Sequence, residues 1–190
     1  MQSSIHILDG SGFIFRAYHG LPPLTDREGR NINAVLGFMK MMLTLLKQHP
    51  SHFLIARDSP VRTKRKESFE AYKAQRIAMP DEFYRQMNVI KDIIQKSGIS
   101  AFEIEGYEAD DIIATAAGYG SKERPACIVS SDKDMRQLIS DNTSIFDAQK
   151  EITRTPEVFH TQYGFLPEYF VDYLAIVGDV ADNIPGIHGI

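Results

Sequence analysis

The stretch AFEIEGYEADDIIATAAGYGSKERPACIVSSDKDMRQLI, residues 101–139, decides the fold. It opens on a short apolar run, AFEIEG, and passes into EADDIIATAAGYG, where apolar residues recur at helical spacing. A β-branched run, ACIVSS, follows, and DKDMRQLI returns to a helical pattern. Strand, helix, strand, helix implies a mostly parallel sheet with helices on both faces. The same stretch carries five acids at its corners: Glu108, Asp110 and Asp111 open the first helix, and Asp132 and Asp134 follow the second strand.

The pattern continues toward the N-terminus. IHILD (5–9) reads as a strand ending at Asp9, and DGSG as the turn that breaks it. NAVLGFMKMMLTLLKQHP (33–50) is a core helix with Val35, Met39, Met42, Leu43 and Leu46 as its stripe and Pro50 as its close. SHFLIARD (51–58) is a second strand, again ending in an aspartate, Asp58. MPDEFYRQMNVIKDIIQKSGI (79–99) aligns Phe83, Met87, Ile90 and Ile94 on one helical face, with Pro80 near its start and Gly98 past its end. Beyond Ile145 the signals shorten: β-like pieces at SIFD and EITRT, two helices introduced by Pro156 and Pro167, and a turn-rich GDVADNIPGIHGI. There is no internal repeat or low-complexity tract. The expected fold class is α/β with a mostly parallel central sheet and helices on both faces. In such sheets ligands gather beyond the carboxyl ends of the strands. Four segments, at Asp9, Asp58, Glu108 and Asp132, thus bring acids to one edge.

A chain of 190 residues is most simply one domain, able to bury about 70% of its unfolded surface. The single Cys127 excludes an internal disulfide framework and reads as an inert buried thiol in a reducing compartment. No apolar run approaches the ~20 residues of a membrane span, and MQSSIHILDG has no signal-peptide pattern. A soluble, cytoplasmic protein with no membrane partner is expected. The formal net charge of −4 gives no global basic signature, so a nucleic-acid partner would need a local patch or bound cations.

Taken singly, each acid has an ordinary explanation. EADD favours a helix N-terminus by roughly 0.3–1 kcal/mol per charge. DKD can cap the next helix, Asp9 and Asp58 can sit in strand-end turns, and Asp179 and Asp182 in a surface turn. Jointly they are harder to explain, because like charges ~4 Å apart repel by about 1 kcal/mol in water and several times more in a cleft. Such a cluster needs cations or must protonate. Oxygen donors without a matching His or Cys set suit Mg2+ or Mn2+ rather than Zn2+. Two such ions ~3.5–4 Å apart are a device for in-line phosphodiester cleavage. The six histidines are scattered, and none is expected to act as a base.

Directly after Asp58 the charge reverses. From Arg57 to Arg76 there are seven Lys/Arg against three Asp/Glu. The run reads either as a solvated amphipathic helix or as a phosphate-neutralising arm with Tyr72 able to stack on a base.

With these residues in view, IHILDGSGFIFRAYHGLPPLT, RDSPVRTKRKESFEAYKAQR, GYEADDIIATAA, SSDKDMRQLI and GDVADNIPGI together resemble, in order, the bacterial 5′ nuclease domain found at the N-terminus of DNA polymerase I, in the flap endonuclease superfamily. The resemblance implies a PIN-like 5′ nuclease fold over residues 1–190, a helical arch over 59–80, and the start of a helix–three-turn–helix over 178–190. It implies metal-dependent hydrolysis of DNA at 5′ flaps, nicks or ends in replication and repair, with primer removal as the role, and two Mg2+ or Mn2+ ions. By position, Asp9, Asp58, Glu108 and Asp110 correspond to ligands of the first ion. Asp132, Asp134 and Asp179 correspond to ligands of the second, and Asp111 and Asp182 are outer or shared ligands. Arg16 matches a phosphate contact, Arg65, Lys73 and Arg76 match basic residues of the arch, with Lys73 and Arg76 steering the scissile phosphate, and Tyr72 matches an aromatic that could stack on a displaced base. Arg57 and Pro60 depart from the family's pattern, where a small or aromatic residue and a basic one are common. The family continues past DNIPGIHGI into a helix that completes a duplex grip around K+, so the resemblance implies a fragment of a longer protein with weak duplex affinity and reduced activity. A polymerase domain linked to the chain and a monomeric state are expected. The alternatives are a branched-DNA binding module with little turnover and another metal-dependent phosphotransferase or RNA nuclease.

Overall fold

Ile7 and Leu8, adjacent on the central strand, are both fully buried and face opposite halves of the core. That alternation follows from the two-residue period of a strand covered on both sides. The structure, a computed structural model, describes residues 4–189; Ile190, the last residue of the expected duplex-gripping element, lies outside them. Strand β1 (Ile5–Asp9) pairs in parallel with β2 (His52–Arg57) on one side and β4 (Ala126–Val129) on the other. Strand β3 (Ser100–Glu103) extends the sheet beyond β2, and β5 (Thr143–Asp147) extends it beyond β4, both in parallel. The antiparallel β6 (Ile152–Arg154) closes one edge, giving the order β3-β2-β1-β4-β5-β6. The chain leaves β1 toward β2 and later crosses to β4, so the crevice between the carboxyl ends of β1 and β4 is the topological switch point.

Helices α1 (Gly10–Gly20), α2 (Asn33–Leu46) and α4 (Asp81–Ser97) cover one face through Phe13, Phe38, Leu45, Phe83 and Ile90. The other face is covered by α5 (Ala109–Ala117), a 3-10 turn at Asp134–Leu138, α6 (Pro156–Tyr163) and α7 (Phe170–Val177), through Ile113, Met135, Phe159 and Phe170. Full burial of each such side chain contributes roughly 1.5–3 kcal/mol. Among the described residues, no helix is long and apolar enough to cross a membrane.

Four local expectations change. DGSG is not a turn: Asp9 caps α1 directly, its carboxylate accepting the Gly12 amide at 2.8 Å. Glycine is needed there because a Cβ at position 12 would lie 2.2 Å from Asp9 Oδ2. The buried stripe of α2 is Ala34, Phe38, Met42 and Leu45, and Leu43 is 55% exposed. The helix is turned by its crossing with α1, where a Cβ on Gly37 would come 2.8 Å from Ala17 Cβ. DKDMRQLI forms a 3-10 turn, because Asp132 folds back to accept the Asp134 amide before an α-helix can start. The expected helical arch holds one five-residue helix, α3 (Lys64–Ser68), capped by Thr63 and followed by turns to Arg76.

Candidate active site

The strand ends place the acids. Asp9 is the last residue of β1 and nearly fully buried; Oδ1 accepts from the Gly12 amide, and Oδ2 accepts from the Ser130 hydroxyl at 2.8 Å. Burial raises its pKa, opposed by those two hydrogen bonds and by Arg16. Asp58, one residue past β2, is exposed and accepts the Ala109 amide at 2.8 Å, which ties it to the start of α5. Asp110 sits in the first turn of α5, where burial and the charges of Asp132, Asp9 and Asp58 push its pKa up to about 7. These four carboxylates share one electrostatic site.

A second group lies beside it. Oxygens of Asp134, Asp179 and Asp182 all come within 4.8 Å of one another. Burial, with Asp132 and Asp179 nearby, raises the Asp134 pKa to about 6, and its Oδ1 is buried without a hydrogen-bond partner. Asp179 accepts the Ala181 amide and stands 3.1 Å from Lys133 Nζ. Asp132 is exposed and acts electrostatically on both Asp110 and Asp134, which puts it between the groups. Asp182, expected as an outer or shared residue, lies within the second group.

Glu108 and Asp111 occupy a third setting. Glu108 is the N-cap of α5, and the two form a capping box in which Asp111 accepts the Glu108 amide at 3.0 Å. Glu108 Oε2 also receives Arg65 at 2.8 Å, the Tyr72 hydroxyl at 3.0 Å and Lys73 Nζ at 2.9 Å, while Thr63 donates to Oε1. Burial opposes ionisation of Glu108, but Lys73, Tyr72 and Arg65 together hold its pKa below the ordinary value. The second Arg65 nitrogen reaches Asp111 at 2.5 Å. Arg76 pairs with Asp182 at 2.7 Å, and Lys73 Nζ lies 3.8 Å from the same carboxylate.

The basic segment is therefore folded down onto the acids. Further hydrogen bonds fasten it: the Lys73 backbone amide donates to Asp182 O, and the side-chain amides of Asn183 and Gln75 donate to Ala71 O and Val180 O. Lys73 itself adopts φ 53°, a left-handed conformation uncommon for a non-glycine residue. The run is not one solvated amphipathic helix: it holds only the short α3, and Arg65, Lys73 and Arg76 lie on site carboxylates, while Lys64 reaches the Tyr107 hydroxyl and Lys66 the Tyr72 carbonyl. Tyr72 is only 8% exposed with its hydroxyl on Glu108, so in this arrangement its ring is not presented to a base. Arg16 lies over the Phe13 ring, 3.9 Å from Asp9 Oδ2, and keeps two buried nitrogens without hydrogen-bond partners. Arg57 is drawn to Glu103 of β3, which also pairs with Lys91 of α4.

A family model described as the 5′-3′ exonuclease N-terminal resolvase-like domain matches residues 4–164. The chain belongs to this family. A 5′-3′ exonuclease of Aquifex aeolicus is 40% identical over 191 residues, covering all of this chain and 66% of that protein. A DNA polymerase I of Rhizobium leguminosarum is 41% identical over 197 residues, covering 98% of this chain and 19% of that protein. The chain thus spans less than two thirds of the length of these relatives. The same fold occurs in the T5 D15 flap endonuclease solved with DNA and metal ions, with a TM-score of 0.78 at 22% identity over 98% of this chain and 71% of that one.

Within the 5′-3′ exonuclease fold, the acids suit a hard cation. The donor set is all oxygen, Asp134 offers a buried oxygen with no partner, and the raised Asp110 and Asp134 pKa values mark negative charge lacking compensation. Three residues at the site escaped the sequence reading. Thr63 and Ser130 are uncharged and gain meaning only from what they touch. Lys133 lies inside the quoted DKD motif and was passed over between its two acids.

Proposed function

We propose that this chain carries the catalytic site of a structure-specific 5′ nuclease that hydrolyses DNA phosphodiesters at 5′ flaps, nicks or ends, in replication and repair. The observation that carries this reading is the basic segment lying over an acid-only cluster at the switch point, with Lys73 and Arg76 directly on its carboxylates. An acidic protein handling DNA needs both parts, cations for the phosphates and carboxylates for metal.

Asp9, Asp58 and Asp110, with Glu108, would hold one divalent ion, and Asp134, Asp179 and Asp182 a second, with Asp132 between and Asp111 supporting Glu108. When bound, two Mg2+ or Mn2+ ions supply an activated water and neutralise charge on the phosphodiester oxygens. The chain's own residues do the rest. Arg65, Lys73 and Arg76 exchange their carboxylate partners for substrate phosphate. Arg16, two of whose nitrogens make no hydrogen bond, receives a further phosphate. Tyr72 can stack on a base only after the arch lifts from Glu108. The T5 D15 flap endonuclease, which shares the fold, was solved with DNA and metal ions, the two kinds of ligand proposed here. The chain acts as a cytoplasmic monomer, with a polymerase domain attached where the protein is built like the Rhizobium relative. K+ binds at the duplex-gripping motif only where that motif is complete.

A 5′-flapped duplex incubated with the protein in Mg2+ or Mn2+ tests the reading against Asp110→Asn. Flap cleavage by the parent and loss of at least a hundredfold in the variant are expected. A parent that binds the flap in Mn2+ but leaves it intact, or a variant that cuts as fast, sinks it.

A further inference from the structure

Ser130 carries no charge, yet it stands where the two carboxylate groups meet. It follows β4 directly, is fully buried, and its amide donates to Phe146 O on β5. Its hydroxyl has one proton. The Asp132 amide donates to Ser130 Oγ at 3.0 Å, so that proton goes to Asp9 Oδ2 at 2.8 Å. One step further, the Asp134 amide donates to Asp132 Oδ1 at 2.9 Å. Three hydrogen bonds in series thus run from Asp134, in the second carboxylate group, through Asp132 and Ser130 to Asp9 in the first.

We propose that Ser130 is a positioning residue that holds the two halves of the metal site in register, an inference that rests on reading these carboxylates as metal ligands. Asp9 belongs to β1, Asp132 to the loop after β4, and Asp134 to the start of the 3-10 turn that follows it. The strands pair only as far as Leu8 with Val129, so beyond that point the backbone ladder no longer fixes one segment against the other. Ser130 takes over there. Asp9 is held on both oxygens, by Gly12 on Oδ1 and Ser130 on Oδ2, which leaves it one orientation toward the crevice. A hydroxyl is required because the link must accept from an amide and donate to a carboxylate at once; alanine can do neither. Threonine keeps the hydroxyl and adds one methyl.

The test measures Mn2+ uptake by the full chain with calorimetry and electron paramagnetic resonance, comparing the parent with Ser130→Ala and Ser130→Thr. The parent is expected to bind two ions with the spectrum of a spin-coupled pair. Ser130→Ala should bind Mn2+ at least tenfold more weakly and lose the pair spectrum, and Ser130→Thr should regain both. A purely structural serine would lower the melting temperature but leave affinity and spectrum of the folded protein unchanged. That result overturns the inference, as does a Ser130→Thr variant as impaired as Ser130→Ala. If Ser130→Ala does not fold, Ser130→Cys, of similar volume but a poor donor, is measured instead with the same expected loss. A parent that takes up no Mn2+ overturns the metal reading and this inference together, whereas an unimpaired alanine or cysteine variant overturns this inference alone.

Discussion

Lys73 Nζ stands 2.9 Å from Glu108 Oε2, the same oxygen that takes Arg65 and the Tyr72 hydroxyl. The basic segment is thereby fastened to the carboxylate cluster. If Glu108 is a ligand of the first ion as proposed, a divalent cation and the cations of the basic segment compete for one carboxylate, and binding then favours the state in which that segment is released. Saturating Mn2+ is expected to speed tryptic cleavage between residues 62 and 76 severalfold. Glu108→Gln should do the same without metal. By reciprocity Lys73→Ala should tighten Mn2+ binding, since it removes the competitor. An unchanged cleavage rate in Mn2+ would show that ion and arch do not share Glu108.

The pH dependence of metal uptake follows from two carboxylates. Burial and neighbouring acids raise Asp110 to about 7 and Asp134 to about 6, so both carry protons in much of the metal-free protein near pH 6. An ion binds the carboxylate form. Mn2+ affinity should therefore rise as pH climbs through 6–7 and level off above it. Calorimetry at pH 6.5 in two buffers of different ionisation enthalpy should report a net release of protons. Equal heats in both buffers would contradict the raised values.

Much of this was legible before the structure. The β3–α5–β4 stretch fixed a parallel sheet, and the acids at strand ends followed from its polarity. The Phe83–Ile94 stripe was readable because periodicity, Pro80 and Gly98 agreed. Elsewhere local signals misled for identifiable reasons. DGSG looks like a turn, although its glycine serves the close approach of α1 to Asp9. The stripe on α2 was off by a residue because a helix crossing, invisible in one sequence, sets which face is buried. Ser130 could not be singled out at all: a serine in ACIVSS is unremarkable until its hydroxyl is seen between two carboxylate-bearing segments.

Gly12 offers a local test of how tightly Asp9 is held. An alanine there would improve helix propensity by about 1 kcal/mol. Its Cβ, however, would lie 2.2 Å from Asp9 Oδ2 and 2.8 Å from Cγ, so the carboxylate must swing out of its place. Gly12→Ala is expected to fold, with circular dichroism near that of the parent, and to lose Mn2+ affinity by tenfold or more. Parental affinity would mean that Asp9 has another orientation equally suited to the ion.

Asp110 should display a conflict between stability and function. At pH 8 in the absence of metal its carboxylate is ionised beside Asp132, Asp9 and Asp58, partly out of water. Its folded pKa of about 7 lies above the ordinary value of 3.8, so the folded chain binds more protons than the unfolded one between those values. The stability that Asp110 contributes when protonated is then lost as pH rises through 7. Asn keeps the shape without the charge. Asp110→Asn is expected to stabilise the metal-free protein at pH 8 by about 1–3 kcal/mol, seen as a melting temperature higher by about 5 °C. At pH 4 the gain should vanish, because the parent carboxyl is then neutral too. Adding Mn2+ should reverse the order at pH 8, raising the melting point of the parent and leaving the variant nearly unmoved. A variant less stable than the parent in EDTA at pH 8 would mean that Asp110 is compensated by hydrogen bonds rather than exposed to its neighbours' charge.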